Sequence, residues 1–143
     1  MENKYIQLPL PAEQVPPRTQ VSANQIKGLK KLADVIIPDK IVNPTFNDTK
    51  PENQINGMLD YMYQDDRQAI LIILSIFAFT PKFKIRWLML LIESAAKWPG
   101  YAGSLFRMLQ IALKGLVFTL YYSDFTPDKK IFKQVQYDAH IHP

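Results

Sequence analysis

The chain has 143 residues and no cysteine. Disulfide staples, zinc–thiolate centres and iron–sulfur ligation by its own side chains are therefore excluded. Histidine is almost missing as well. His140 and His142 are the only two, both at the extreme C-terminal end. A His-x-His pair at a chain end needs ligands from elsewhere to hold a metal, and a terminal tail is the simpler assignment. Neither imidazole is placed for general base work. Glycine is scarce, with five residues. None of them builds G-x-G-x-x-G or G-x-x-x-x-G-K-[ST], and H-E-x-x-H and G-x-S-x-G are absent too. Gly100-Tyr101-Ala102-Gly103 has no strand before it, so it is expected to be a turn rather than a phosphate cradle.

Acidic residues are missing from the middle of the chain. From Arg67 to Tyr122 the cations are Arg67, Lys82, Lys84, Arg86, Lys97, Arg107 and Lys114, and the only carboxylate is Glu93. A solvated basic face is the first reading; a surface for an acidic partner or phospholipid headgroups is the second. An i,i+4 ion pair is expected between Glu93 and Lys97. Asp65 and Asp66 are adjacent and so do not face each other as a catalytic pair would. The net charge of +4 and pI of about 9.2 are too mild for a nucleic-acid signature, and no such partner is expected.

A long unbroken apolar run is also lacking. The run Ala69–Ala78 is interrupted by Ser75 and falls short of the ~20 residues a spanning helix needs. It is expected to be a core helix. The segment Leu105–Tyr122 is longer, but Arg107, Gln110 and Lys114 fall inside it. No membrane span is expected, while peripheral contact stays open. The N-terminal segment has no basic start with an apolar run behind it, and Arg18 stands without a twin. A cytoplasmic location is the expectation, with export in complex with a partner as the alternative.

What the chain does have is apolar content, 48% of its residues, enough for one domain with a substantial core. Pro9, Pro11, Pro16 and Pro17 make residues 1–20 an extended arm. Ser22 and Gln25 have capping-box spacing and open a first helix that Pro38 closes. Ile26, Leu29, Ala33 and Ile36 give that helix an apolar face, with Lys27, Lys30, Lys31 and Asp34 opposite. Thr49 and Glu52 repeat the capping spacing ahead of Ile55, Met58, Leu59 and Met62, and Asp65 with Gln68 marks a third start. This third helix is apolar on nearly every side through Phe79, which predicts a central position. Thr80-Pro81 opens a fourth helix through Trp98, ended by Pro99-Gly100. A fifth covers about Ala102–Tyr122, and Thr126-Pro127-Asp128 starts a short sixth through about Val135. No segment alternates as a strand would. The expected fold is all-α: a compact bundle of about five to six helices over 21–138, a proline-rich arm before it and a tail over 139–143.

Two groups of residues invite a binding role. Trp87 and Trp98 could line a ligand pocket or form a hot spot, although at helical spacing core packing is the simpler assignment. Tyr121 and Tyr122 point about 100° apart on a helix, so one can be buried while the other anchors a partner. Arg107 and Lys114 form a basic stripe beside them, and Ser123-Asp124 is a polar exit.

Two segments resemble the gluconate 2-dehydrogenase subunit 3 family. These are small subunits that accompany flavin-dependent glucose–methanol–choline (GMC) oxidoreductases. Leu29-Lys30-Lys31-Leu32-Ala33-Asp34-Val35-Ile36-Ile37-Pro38 resembles the family's leading helix with its Ile-Pro stop. Leu113-Lys114 to Tyr121-Tyr122-Ser123-Asp124, followed by Tyr137, resembles the closing helix and the turn after it. Two family features differ here: a twin-arginine signal, and a glycine near the final tyrosine, where this chain has Gln136 and Asp138-Ala139. The resemblance implies a non-catalytic subunit that binds and stabilises a GMC-type alcohol or sugar dehydrogenase or oxidase. FAD would reside in that partner, with no cofactor in this chain. Arg107, Lys114, Tyr121, Tyr122 and Asp124 are the partner-binding candidates. The alternative is a free-standing helical protein that docks on membrane surfaces or binds an apolar ligand.

Overall fold

The computed structural model describes residues 19–38, 44–123 and 131. Among these residues the protein is all-α. The elements are α1 (Ala23–Ile36), α2 (Ile55–Asp60), α3 (Gln64–Phe79), α4 (Lys82–Ala95) and α5 (Gly100–Tyr122), with 3-10 turns at Phe46–Thr49 and Pro51–Asn53 before α2. The proline-rich arm up to residue 18, most of the expected sixth helix and the tail with both histidines lie outside the described residues. Ile131, from that sixth segment, is helical and buried in the core.

The Ser22–Gln25 capping box forms in full. The Gln25 N–H donates to Ser22 Oγ (3.3 Å) and the Ser22 N–H donates to Gln25 Oε1 (2.9 Å). Thr49–Glu52 does not become a second box. The box instead joins Thr45 and Asp48, whose carboxylate accepts from the Thr45 N–H (2.8 Å) and hydroxyl (2.9 Å). Lys50 then takes a left-handed conformation, φ 48°. That breaks the chain into two 3-10 turns, so α2 is shorter than its apolar pattern suggested.

The centre of the bundle is α1 rather than α3. Helix α1 packs most extensively on α3 and also touches α4, α5 and the first 3-10 turn. The α1–α3 seam is close because Gly28 lies on it. A Cβ there would stand 1.9 Å from the Leu74 carbonyl oxygen. Polar side chains of α1 fasten both ends of the seam. The Gln25 amide donates to Leu71 O (3.3 Å) and Ser75 Oγ (3.2 Å), and Lys31 Nζ donates to Ala78 O (2.7 Å) and Thr80 O (2.9 Å). Lys31 thus sets a positive charge on the carbonyl end of α3, where the helix dipole favours it. The expected central position of α3 is corrected: only one side of it, Ile70, Leu74, Phe77 and Ala78, is buried, while Ile72, Ile76 and Phe79 are exposed.

The remaining core comes from Leu29, Leu32, Phe46, Ile55, Leu59, Ile85, Leu113, Leu116 and Leu120, all essentially buried. The end of the N-terminal arm is tied down on α2. Asp60 Oδ1 accepts from the Thr19 N–H (2.9 Å), and Asn56 Oδ1 accepts from the Val21 N–H (3.0 Å). Arg67 Nη1 completes this corner by donating to Thr19 Oγ1 (3.1 Å).

Candidate interaction surface

Helix α5 changes character halfway along. Its second half is a core helix with Leu113, Leu116, Val117, Leu120 and Tyr121 buried. In its first half only Gly103 is buried, and Tyr101, Leu105, Met108 and Ile111 are exposed. Those four recur every three or four residues, so they make one stripe along the helix. By length and composition α5 is the one helix among the described residues that could cross a membrane. Its second half packs into the core, 28% of its apolar window is buried, and it carries the charged Arg107 and Lys114.

Four of the five candidate residues can be located. Tyr121 is inside, 4% exposed, and its hydroxyl donates to the Pro44 carbonyl oxygen at 2.9 Å. It belongs to the buried core cluster and ties the end of α5 to the segment before the first 3-10 turn. Tyr122 is outside, 51% exposed, stacked on Phe118 with ring centroids 6.2 Å apart and edge-on to Tyr121 at 5.2 Å. Arg107 is a clamp: its guanidinium donates to Ala96 O (2.8 Å) and Ser104 Oγ (2.8 Å), with a longer bond to Trp98 O (3.4 Å). It joins the carbonyl end of α4 to the start of α5 and fixes the turn between them. Lys114 makes no ion pair among the described residues. It lines an open cleft of about 300 Å³ with Val35, Ile36, Arg86, Met89, Leu90, Glu93 and Phe118. Asp124 lies outside the described residues.

The cleft is amphipathic. Apolar walls from α1, α4 and α5 meet two cations and one carboxylate. Tyr122 stacks on one of its walls, Phe118. Lys114, Phe118 and Tyr122 therefore form one continuous patch at the C-terminal end of α5. Among the described residues no three His, Asp or Glu side chains gather where they could hold a metal ion. Asp65 and Asp66 sit exposed in the first turn of α3.

Sequence reasoning missed the outer face of α4. Ile85, Met89 and Ile92 turn inward, which leaves Phe83, Trp87, Leu90 and Leu91 on the solvent side. Trp87 is 63% exposed, and Trp98, in the turn after the helix, is exposed with its ring edge-on to Phe106 at 6.1 Å. The core assignment for both indoles is therefore corrected. The signal was present: α4 carries apolar residues at more positions than a single buried stripe can use. The expected Glu93–Lys97 ion pair does not form; the α4 cation that finds a carboxylate is Lys82, paired with Asp34 of α1. No family model, curated protein or solved structure matches this chain.

Proposed function

We propose that this protein is a non-catalytic small subunit that works by association. It covers an apolar patch on a GMC-type flavoprotein that oxidises an alcohol or sugar, and keeps that partner folded and soluble. The observation that carries the reading is the half-committed α5. Its second half anchors the helix in the core while its first half presents Tyr101, Leu105, Met108 and Ile111 to the outside. A folded domain seldom leaves such a stripe uncovered, and aromatic and methionine side chains are what protein interfaces favour. The Lys114–Phe118–Tyr122 patch continues it toward the C-terminal end, adding a cation and a stacked aromatic pair of the kind found at hot spots. The choice of partner rests on the resemblance of the two terminal helices to the subunit 3 family. FAD and the redox chemistry belong to the partner in this proposal.

The test is co-purification of a double variant, Tyr122→Ala with Lys114→Glu. Both side chains are at least partly exposed, and among the described residues neither makes a hydrogen bond or ion pair. The variant is expected to keep its circular dichroism and melting profile and to lose the flavoprotein. Undiminished co-purification would remove these residues from the interface.

A further inference from the structure

Beside the stripe on α5, the outer face of α4 is a second exposed apolar surface, and its chemistry differs. Phe83, Trp87, Leu90 and Leu91 lie along it, with Phe79 at the end of α3 just before it and Trp98 in the turn just after. Cations flank this stripe. Lys84, Arg86 and Lys97 are exposed, and their side chains make no hydrogen bond or ion pair among the described residues. Lys82 is exposed as well, beyond its pairing with Asp34. Across the cleft, Lys114 adds a further positive charge beside Arg86, and Glu93 is the sole carboxylate on α4.

We infer that the outer face of α4 docks on an anionic phospholipid bilayer. The bulky stripe would enter the boundary between headgroups and acyl chains, and the flanking lysine and arginine side chains would reach the phosphates. Charge complementarity selects this occupant. A helix lying in an interface combines Trp, Phe and Leu on its inserted side with Lys and Arg at the edges. Each such cation strengthens partitioning onto an anionic leaflet by about fivefold. Indole and phenyl rings are also the side chains that settle at headgroup depth. This docking is separate from the subunit role. It uses α4 rather than the α5 stripe, and it needs no protein partner.

The chain supplies its own probe, because Trp87 and Trp98 are its only two tryptophans and both belong to this surface. The purified full-length protein is mixed with phosphatidylcholine vesicles, with and without phosphatidylserine, and read by co-sedimentation and tryptophan emission. Binding to the serine-containing vesicles, a blue-shifted emission and loss of binding at high salt are expected. Lys84→Gln with Arg86→Gln is expected to weaken partitioning about thirtyfold. Phe83→Ala with Trp87→Ala is expected to abolish it while leaving the melting temperature near wild type. No partitioning, or partitioning that ignores both variants, would overturn the proposal. So would a stable homo-oligomer that Phe83→Ala with Trp87→Ala dissolves, since the face would then be covered by a second copy. Because no flavoprotein is present in this assay, its failure leaves the subunit reading untouched, and the reverse holds equally.

Discussion

The Tyr121 hydroxyl donates to the Pro44 carbonyl oxygen at 2.9 Å, joining the end of α5 to the loop that follows α1 across 77 positions of sequence. The bond is buried. Removing the hydroxyl leaves a carbonyl with a lost partner, which costs more than a surface bond would. Tyr121→Phe is expected to lower stability by about 1–2 kcal/mol. A shift of the urea midpoint at constant slope would show it. Partner binding should be unchanged, unlike in the Tyr122 variant, although the two side chains are adjacent.

Gly28 differs from Gly57 and Gly115 in the space around it. Gly28→Ala would push a methyl group into the Leu74 carbonyl, with Ala78 N also within 3.1 Å. Helices α1 and α3 would have to move apart, at a cost of about 1–3 kcal/mol or more. Gly57 and Gly115 are also helical, and a Cβ on either meets nothing within 4 Å. Gly57→Ala and Gly115→Ala are therefore expected to stabilise by about 0.5–1 kcal/mol through backbone entropy. Thermal melts of the three variants should move in opposite directions.

Arg107 is exposed by area, yet its guanidinium spans Ala96 O and Ser104 Oγ. Arg107→Ala should loosen the α4–α5 turn and cost about 1 kcal/mol. Arg107→Lys should rescue it poorly, because an ammonium lacks the planar fork. Hydrogen exchange should quicken first at the amides that begin α5, while the α1–α3 seam stays protected.

Lys31→Met keeps most of the aliphatic stem and removes the ammonium that donates to Ala78 O and Thr80 O. A loss of about 1 kcal/mol is expected, and the end of α3 should fray. A Lys31→Arg variant that restores the stability would confirm that the charge at the helix end is what matters.

Much of this architecture is legible in the sequence, because helix boundaries are local chemistry. Ser22 with Gln25 and Pro38 bracket α1, and Pro81 and Pro99 sit at the N-caps of α4 and α5. But α4 stops at Ala95 rather than Trp98, Gly100–Gly103 is the first turn of α5 rather than a loop, and neither Thr80 nor Asp65 caps a helix start. The failures are tertiary. Thr45–Asp48 and Thr49–Glu52 have the same spacing, and the left-handed backbone at Lys50 decided between them. The apolar girth of α3 suggested a central helix, but it serves one core face and one exposed face. The same ambiguity hid the outer face of α4: an apolar residue does not announce whether it faces the core or a partner. Arg107 and Lys114 looked alike on one stripe, and only geometry separates a clamp from a cation lining a cleft.

Holding a flavoprotein is the role proposed for this chain. The direct measurement is affinity capture of the tagged protein from its native cell, with an absorbance spectrum of the eluate. A larger co-eluting chain that carries the visible absorption of a flavin is expected, lost when Tyr122→Ala and Lys114→Glu are combined. A colourless 16.5 kDa protein eluting alone would contradict it.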